Sequence, residues 1–204
     1  MVIKVSVDTR EKIMQIATNL FAQRGFAGVS IRELTIAADV NISAISYHFH
    51  GKEGLYKEVF EEQLSPVIEA IDFAEKKEGL TPVEKLGLWS KLVIGVHTKH
   101  PLLIRFVSGE LNNPTVHGSA IVQEYMSRVH DFLHQALAEG VQKGTFREDL
   151  NINHATISLI SILNFYFYAK PLMGKVPSII EADLGDCAKE VLDIYFKGIF
   201  KKND

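Results

Sequence analysis

The sequence predicts an all-α protein of about nine helices, and three features of the chain favour that fold class. Apolar residues recur at helical spacing along almost the whole chain, whereas no stretch alternates in the way that requires a strand. Capping residues and prolines mark the starts of helices, and glycines mark several ends. Apolar residues also make up 47% of the 204 residues, which is enough for a sizeable core.

The first predicted helix covers residues 9–24, where the apolar side chains form a single stripe. We expect Asp8 to cap this helix and Glu11 to act as the return partner of a capping box. Gly25 is expected to end the helix, because glycine readily adopts the left-handed conformation that often follows a last helical turn.

Two shorter helices follow, each with a capping residue in front of it. Ser30 and Glu33 form a second capping box, and the helix that they open is expected to stop near Asp39. Asn41 is expected to cap a third helix over 42–48. Because such short helices bury too little area to be stable alone, we expect the fourth helix to support them.

Longer helices fill the rest of the chain. The fourth begins near Lys52, and Pro66 is expected to kink it or to lie within its frame. Thr81 and Glu84 form a third capping box around a proline at the first helical position. The remaining predicted helices are 82–98, 101–111, 114–143, 153–172 and 179–200, with Gly144 as a stop and a break at Gly174 and Pro177.

The composition argues against several classes of protein. The chain has one cysteine, Cys187, so a framework of internal disulfides is impossible and a reducing compartment fits best. The first eight residues lack the apolar core and cleavage site of a signal peptide, and no run of apolar residues is long enough for a membrane span. We therefore expect a cytoplasmic protein without a membrane partner.

The charge is distributed unevenly along the chain. Residues 1–57 contain seven Lys or Arg and five acidic residues, a net charge of +2, although the whole chain carries −3. This modest asymmetry agrees with a first segment that faces DNA and an acidic remainder.

The second and third predicted helices are separated only by residues 39–41, which is the spacing of a helix-turn-helix. Ile45 and Phe49 are expected to anchor the third helix, which leaves small and polar side chains pointing outward. The residues expected to contact DNA are Ser43, Ala44, Ser46, Tyr47 and His48 on the third helix, with Ser30, Arg32 and Lys52 near phosphates. From the spacing alone, the two helices could equally be packing elements.

The same segment resembles the DNA-binding domain of TetR-family repressors, with an AcrR-type helix-turn-helix. The similarity covers residues 9–60 and runs in order from Ile13 to Phe26 and then through "VSIRELTIAADVNISAISYHFHGKEGLYKEVF". The positions that match the family pattern are Gly25, Phe26, Ser30, Ile31, Arg32, Ala38, Val40, Tyr47, His48, Phe49, Lys52, Glu53 and Leu55. Because the match is ordered over some fifty residues, it favours DNA binding over mere packing.

Three positions depart from the family pattern. Asp39 replaces the usual turn glycine, Ser43 replaces a frequent glycine of the recognition helix, and Ser46 replaces a frequent tyrosine. The last two changes alter the side chains that face the bases, so the resemblance does not give the operator sequence. The stretches "AISYHFHGKEGLY" and "RFVSGELNNPT" are similar to a subgroup often linked to efflux and drug sensitivity.

The resemblance implies two domains and a homodimer. Residues 1–51 would form the helix-turn-helix domain, and 52–204 a helical domain for ligand binding and dimerisation. The last two long helices would meet their copies across a two-fold axis. The candidate interface residues on them are Ile157, Ile160, Phe165, Tyr168, Val191, Ile194 and Tyr195. An isolated protomer that buries these side chains in its own core is the alternative.

The resemblance also implies an effector cavity in the second domain. The residues on the helices that line it in relatives are Trp89, Val93, His97, Phe106, Tyr125, Val129 and Phe132. We expect a largely apolar small molecule, with no cofactor, whose binding releases a repressor from a near-palindromic operator. Each of these residues could also be ordinary core.

A second reading is a repressor-like all-α protein that senses a metal or another protein, or an enzyme built on the same histidines. His130 and His134 lie four residues apart on one predicted helix, so both rings could reach one metal ion. The sequence offers no third ligand at a suitable spacing and no nucleophile paired with a base. We therefore expect no metal site and no enzymatic activity.

Overall fold

A computed structural model describes residues 3–173 and 184–201 of the chain. These residues form nine α-helices, and their only β-type pairing is an isolated bridge between Phe146 and Phe200. The helices are α1 (Ile3–Arg24), α2 (Ile31–Ala38), α3 (Ile42–Phe49), α4 (Lys52–Glu75), α5 (Pro82–Lys99), α6 (Leu103–Asn112), α7 (Val116–Gln142), α8 (Ile152–Met173) and α9 (Leu184–Ile199). The all-α prediction is therefore confirmed. Among the helices described, none is long and apolar enough to cross a membrane.

The predicted capping boxes form at two of three places. Ser30 and Glu33 exchange both hydrogen bonds at the start of α2, and Thr81 and Glu84 do the same at the start of α5. The box predicted at Asp8 is wrong, because α1 begins at Ile3 and Asp8 lies inside the helix. Neither proline nor glycine interrupts the chain between Ile3 and Arg24, so nothing forces the helix to start at a capping residue.

Other helix ends agree with the prediction to within one or two residues. Gly25 and Gly144 both adopt positive φ, at +67° and +69°, directly after α1 and shortly after α7. Pro66 lies inside α4. Pro101 does not begin α6, which starts at Leu103 without a side-chain cap. The break predicted at Gly174 and Pro177, and the first residues of the segment 179–200, lie outside the described residues.

The first of two compact units comprises residues 1–66 and 102–124. Its core joins the helix-turn-helix to the first half of α4 and to α6 through a row of aromatic rings. Tyr56 packs edge-on against Phe21 at 5.0 Å between ring centroids and lies 5.9 Å from Phe60, and Phe60 lies 5.5 Å from Phe106. Since all four rings are buried, they supply much of the apolar area that holds the short helices.

The second unit comprises residues 67–101 and 125–204, of which the described residues include α5, α8, α9 and most of α7. Lys85 on α5 pairs with Glu139 on α7 at 2.6 Å. Tyr195 on α9 donates its hydroxyl to the carbonyl oxygen of Ala155 on α8 at 2.9 Å. These contacts fix α5 beside α7 and α9 beside α8. The domain boundary expected between residues 51 and 52 stays a prediction.

Candidate functional site

The turn between α2 and α3 is closed by backbone hydrogen bonds and by a residue in the left-handed conformation. Asp39 has φ +51° and ψ +53°, a conformation that aspartate tolerates better than most residues with a Cβ. The amide of Val40 then donates to the carbonyl oxygen of Thr35 at 3.0 Å. Asp39 therefore adopts the backbone geometry for which the resembling family uses glycine, as the sequence allowed.

Helix α3 is fixed at its start by a cap and along its inner face by two buried side chains. The Oδ1 atom of Asn41 accepts hydrogen bonds from the amide of Ala44 at 2.9 Å and from the hydroxyl of Ser43 at 2.6 Å. Ile45 and Phe49 are completely buried, as the sequence predicted. The opposite face of α3 is consequently held in a fixed orientation toward solvent.

The outward face of α3 carries the residues that the sequence predicted to meet DNA. Tyr47 is 79% exposed, and its ring meets His48 edge-on at 4.9 Å between centroids. Ser43 and Ser46 are exposed, whereas Ala44 and His48 are half-buried. The Ser43 hydroxyl donates its hydrogen bond to Oδ1 of Asn41, so the Ser43 oxygen can act mainly as an acceptor toward a partner.

Ile42, which was not predicted to contact DNA, belongs to the same face. This first residue of α3 is 57% exposed, although an isoleucine at a helix start is easily read as core. Its position one turn before Ser46 could have revealed it, because residues four apart share a helix face. An exposed isoleucine beside the polar residues is suited to contact a thymine methyl group.

The start of α2 is more crowded than the sequence suggested. Glu33 accepts from both the amide and the hydroxyl of Ser30 at 2.9 Å, and Arg24 pairs with the same carboxylate at 2.8 Å. These hydrogen bonds, the one from the Ser30 amide first, lower the pKa of Glu33 to about 2. Ser30 therefore uses its side chain in the cap, whereas Arg32 is exposed and points outward from the same turn.

Lys52 lies at the start of α4 on an aromatic platform that the sequence analysis did not foresee. Its Nζ atom lies 4.0 Å from the centroid of the Phe26 ring, within the range of a cation–π interaction. Partial burial lowers the pKa of Lys52. A lysine held in this way presents its ammonium at the start of α4, where it can contact a phosphate with little further loss of side-chain entropy.

The residues predicted to line an effector cavity are all buried, but they belong to two units. Phe106 lies in the first unit, where it packs on Phe60. The other six residues lie on α5 and α7 within the second unit. Burial raises the pKa of Tyr125 on α7 to about 12. Six of the seven predicted residues therefore lie on two helices of the second unit, and the effector cavity itself stays a prediction.

Two buried polar atoms on α5 have no hydrogen-bond partner among the described residues. They are the indole nitrogen of Trp89 and the Nδ1 atom of His97, whose side chains are 1% and 3% exposed. The other ring nitrogen of His97 contacts Oδ1 of Asn164 at 2.9 Å, and the ring stacks on Phe167 at 4.5 Å. Buried polar atoms without a partner are rare and usually have a structural or functional explanation.

A third buried polar group, Glu110 on α6, was not singled out by the sequence analysis. Its carboxylate accepts from the Tyr56 hydroxyl at 2.6 Å, from the Thr115 amide at 2.7 Å and from the Thr115 hydroxyl at 2.9 Å. Burial, with the hydrogen bond to Glu110 second, raises the pKa of Tyr56 far above its usual value. This network joins α4, α6 and the start of α7 inside the first unit.

The residues predicted at a dimer interface fall into two classes. Ile157, Phe165, Tyr168 and Ile194 are exposed by 49–69%, and Ile160 and Val191 are half-buried. Tyr195 is buried and donates to Ala155 of the same chain, so it contributes to the packing of α8 on α9 within a protomer. The four exposed members are large apolar side chains on α8 and α9, and their place in a dimer interface stays a prediction.

The histidine pair on α7 is placed without a third ligand. The rings of His130 and His134 stack at 5.4 Å between centroids, and Nδ1 of His130 lies 3.2 Å from Oδ1 of Asp131. In the part of the chain that the structure describes, no group of three or more His, Cys, Asp or Glu side chains could hold a metal ion. The pair therefore lacks the donor set of a structural metal site.

Comparison with known proteins matches both parts of the chain to regulators. The family model for bacterial regulatory proteins of the tetR family matches residues 13–59, and the model for a tetracyclin repressor-like C-terminal domain matches residues 82–186. Together the two matched segments contain the helix-turn-helix and most of the second unit.

Individual relatives agree with the family models. The "Probable HTH-type transcriptional regulator YttP" of Bacillus subtilis is 28% identical over 160 residues, which cover 78% of this chain and 77% of the relative. The HTH-type transcriptional repressor NicS of Pseudomonas putida is 25% identical over 185 residues, which cover 87% and 83%. The structure of HlyIIR, a hemolysin II transcriptional regulator, superimposes with a TM-score of 0.71 at 25% identity and covers 97% of this chain and 99% of its own.

Proposed function

The chain belongs to the tetR family of bacterial regulatory proteins, and from that membership we propose that it is a homodimeric repressor released from its operator by a small-molecule effector. The family and its relatives are DNA-binding transcriptional regulators and not enzymes. The dimer, the operator contacts, the effector and the cytoplasmic location belong to the proposal.

The observation that carries the DNA-binding part of the proposal is the presentation of α3. Two buried residues and the Asn41 cap hold this helix, so its opposite face stays exposed. A helix with small side chains on its outer face can approach the floor of the major groove closely. We assign base contacts to Ser43, Ala44 and Ser46.

Phosphate contacts are assigned to the residues around α3. Tyr47 and His48 flank the outer face, Arg32 projects from the first turn of α2, and Lys52 is held on Phe26. Ser30 would act through the turn that it caps, because its hydroxyl bonds to Glu33. Such contacts orient a domain on DNA without reading its sequence, and they make binding sensitive to salt.

A homodimer through α8 and α9 completes the proposed repressor. Ile157, Phe165 and Tyr168 lie on the exposed side of α8, and Ile194 lies on the exposed side of α9. Burying this apolar surface against a second copy removes it from water. A two-fold dimer would place two α3 helices about one DNA turn apart on a near-palindromic operator.

The DNA-binding assignment is tested with a double variant. Fluorescence anisotropy with labelled intergenic DNA from beside the gene is expected to show that Tyr47→Ala with Lys52→Ala weakens binding at least about tenfold. Loss of the Lys52 contact should also lower the salt dependence of log K by about one. Lys91→Ala, an exposed lysine on α5, is the matched control and should bind as the unmodified protein does. Unchanged affinity in the double variant would remove Tyr47 and Lys52 from the interface.

The dimer is tested separately from DNA binding. Phe165→Asp with Ile157→Asp places two carboxylates on the apolar surface of α8 and is expected to convert the dimer to monomers in sedimentation equilibrium. Lys91→Asp, which adds the same charge on α5, should leave the dimer intact. A dimer that persists in the first variant at micromolar concentration would place the interface elsewhere.

A further inference from the structure

The second unit contains two buried polar atoms of opposite hydrogen-bonding character on one helix. The indole nitrogen of Trp89 carries a hydrogen and can only donate. The Nδ1 atom of His97 is the second, and neither atom has a partner among the described residues. Both side chains are more than nine-tenths buried, so bulk water does not compensate them.

The protonation of His97 follows from its contact with Asn164. The Nδ2 group of Asn164 donates to the carbonyl oxygen of Ile160 at 2.8 Å, which turns Oδ1 of the same amide toward Nε2 of His97 at 2.9 Å. An amide oxygen only accepts, so Nε2 of His97 must carry the proton. Burial lowers the pKa of His97 and keeps the ring neutral, so Nδ1 is left as an acceptor.

The charged side chains of α5 do not favour an anion beside these two atoms. Lys91 and Lys99 are exposed, and Lys85 is paired with Glu139 on α7. A carboxylate buried here would therefore lack a cation from α5 and would have no proton to give to His97. The two residues are also eight positions apart, about 12 Å along the helix, so a small polar group would reach only one of them.

We propose that Trp89 and His97 are the specificity determinants of the effector site, and that they select an elongated, neutral and largely apolar molecule that carries a hydroxyl-type donor for Nδ1 of His97 and an acceptor for the indole N–H of Trp89. This inference rests on the proposed function, since it assigns the ligand chemistry of the proposed effector cavity. Asn164 acts as a positioning residue, because it sets which nitrogen of His97 accepts.

The first test needs no ligand and no variant. Long-range 1H–15N correlation spectra of the full-length protein should show His97 as the Nε2–H form with a bare Nδ1. Trp89 is the only tryptophan, so its indole N–H gives a single assigned signal at the position of a group without a strong acceptor. A His97 ring protonated on Nδ1 would overturn the proposal.

The second test compares probes of one length. Calorimetry with 1,10-decanediol, 1,10-dimethoxydecane and decanedioate separates a neutral donor, a neutral acceptor and an anion. The diol is expected to bind about tenfold more tightly than the ether, the difference made by one buried hydrogen bond, and to move the Trp89 indole signal. Decanedioate is expected to bind most weakly.

The variant His97→Phe should bind the diol and the ether equally, because only the acceptor at Nδ1 distinguishes them. The proposal is overturned if the ether or the dianion binds as well as the diol, or if His97→Phe keeps the preference. It is also overturned if no diol from six to twelve carbons moves the indole signal. DNA binding measured in parallel separates the two claims: failure to bind operator refutes the proposed function, whereas selective diol binding without operator release refutes only the coupling.

Discussion

The two units of the molecule treat their buried polar groups differently. In the first unit, Glu110 accepts three hydrogen bonds from Tyr56 and Thr115, and the buried Thr35 hydroxyl donates to the Arg32 carbonyl. Among the described residues of the second unit, the hydroxyls of Ser90 and Thr156 donate to carbonyl oxygens of their own helices, whereas Trp89 and His97 each keep one atom without a partner.

Under the proposed function, the difference indicates which unit would bind the effector. A polar group that is fully bonded inside a low-dielectric core rigidifies its surroundings, whereas an unbonded one costs free energy until a partner arrives. The buried polar groups named in the first unit are hydrogen-bonded, so we expect its core to be rigid. In the proposed function, the effector would supply the missing partners in the second unit and would stabilise one conformation over another.

Replacing Glu110 should lower the free energy of unfolding more than any other substitution considered for the two units. Glu110→Leu removes three hydrogen bonds, leaves the Tyr56 hydroxyl buried without an acceptor and leaves the half-buried Thr115 amide without its acceptor. We therefore expect the free energy of unfolding to fall by about 3 kcal/mol. Urea denaturation measures it, and the exposed Glu62→Leu on α4 is the control, with a change within about 0.5 kcal/mol. A loss below about 1 kcal/mol for Glu110→Leu would mean that the network adds little.

Replacing His97 should cost much less, although it is equally buried. His97→Phe loses the hydrogen bond to Asn164 but also removes an unpaired acceptor, and the new ring can still stack on Phe167. We expect the ligand-free protein to lose no more than about 1 kcal/mol in the same urea assay. A cost equal to that of Glu110→Leu would contradict the contrast between the two units.

The strain of the first unit lies in its backbone, and a glycine should relieve part of it. Asp39 holds φ +51° in the turn before α3. Asp39→Gly is expected to raise the free energy of unfolding, measured by thermal denaturation, by about 0.5 to 1 kcal/mol, because glycine adopts positive φ without a steric cost. Asp39→Ala keeps a Cβ and loses the polar side chain, so it should be less stable than the original protein. A neutral or unfavourable glycine substitution would show that the Asp39 side chain contributes more than its backbone costs.

The two units should also differ in the pH range over which their stability decreases, and this effect should be smaller than those of the substitutions above. Burial lowers the pKa of His97 below its ordinary 6.5, so the unfolded chain takes up the proton first. The free energy of unfolding therefore decreases as the pH falls below 6.5, because the unfolded chain binds a proton at His97 that the folded chain does not bind. The variant His97→Phe should lack this contribution to the decrease. Glu33, with its pKa lowered from 4.5 to about 2, acts in the first unit in a lower window. Its stabilisation is lost as the pH falls from 4.5 toward 2, and Glu33→Gln should flatten that range only.

Much of the helix-turn-helix was predictable because its signals are local. A capping box needs two side chains three residues apart, and a helix stop needs one residue that tolerates positive φ, as Gly25 and Asp39 do. The wrong prediction at Asp8 also came from a local signal. A capping residue permits a helix to start but does not force it to start there when the preceding residues also favour a helix.

The effector set stays a prediction, because burial alone does not show which side chains line one cavity. The resemblance groups Phe106 with Trp89 and His97, and the structure adds that Phe106 packs on Phe60 within the first unit. Tyr195, predicted at the dimer interface, is buried in the protomer, where its hydroxyl donates to the Ala155 carbonyl oxygen. In both cases the partner lies tens of residues away in the chain.

The sequence by itself determined the all-α class, the ends of α2 and α3, and the buried anchors Ile45 and Phe49, since helical periodicity and capping act over a few residues. Only the tertiary structure decided the Glu110 network, the platform of Phe26 beneath Lys52, and the unpartnered atoms of Trp89 and His97. The physical reason is that hydrogen-bond satisfaction in a core depends on which distant side chains arrive at bonding distance. Residue types define what each group can donate or accept, but packing decides whether a partner is there.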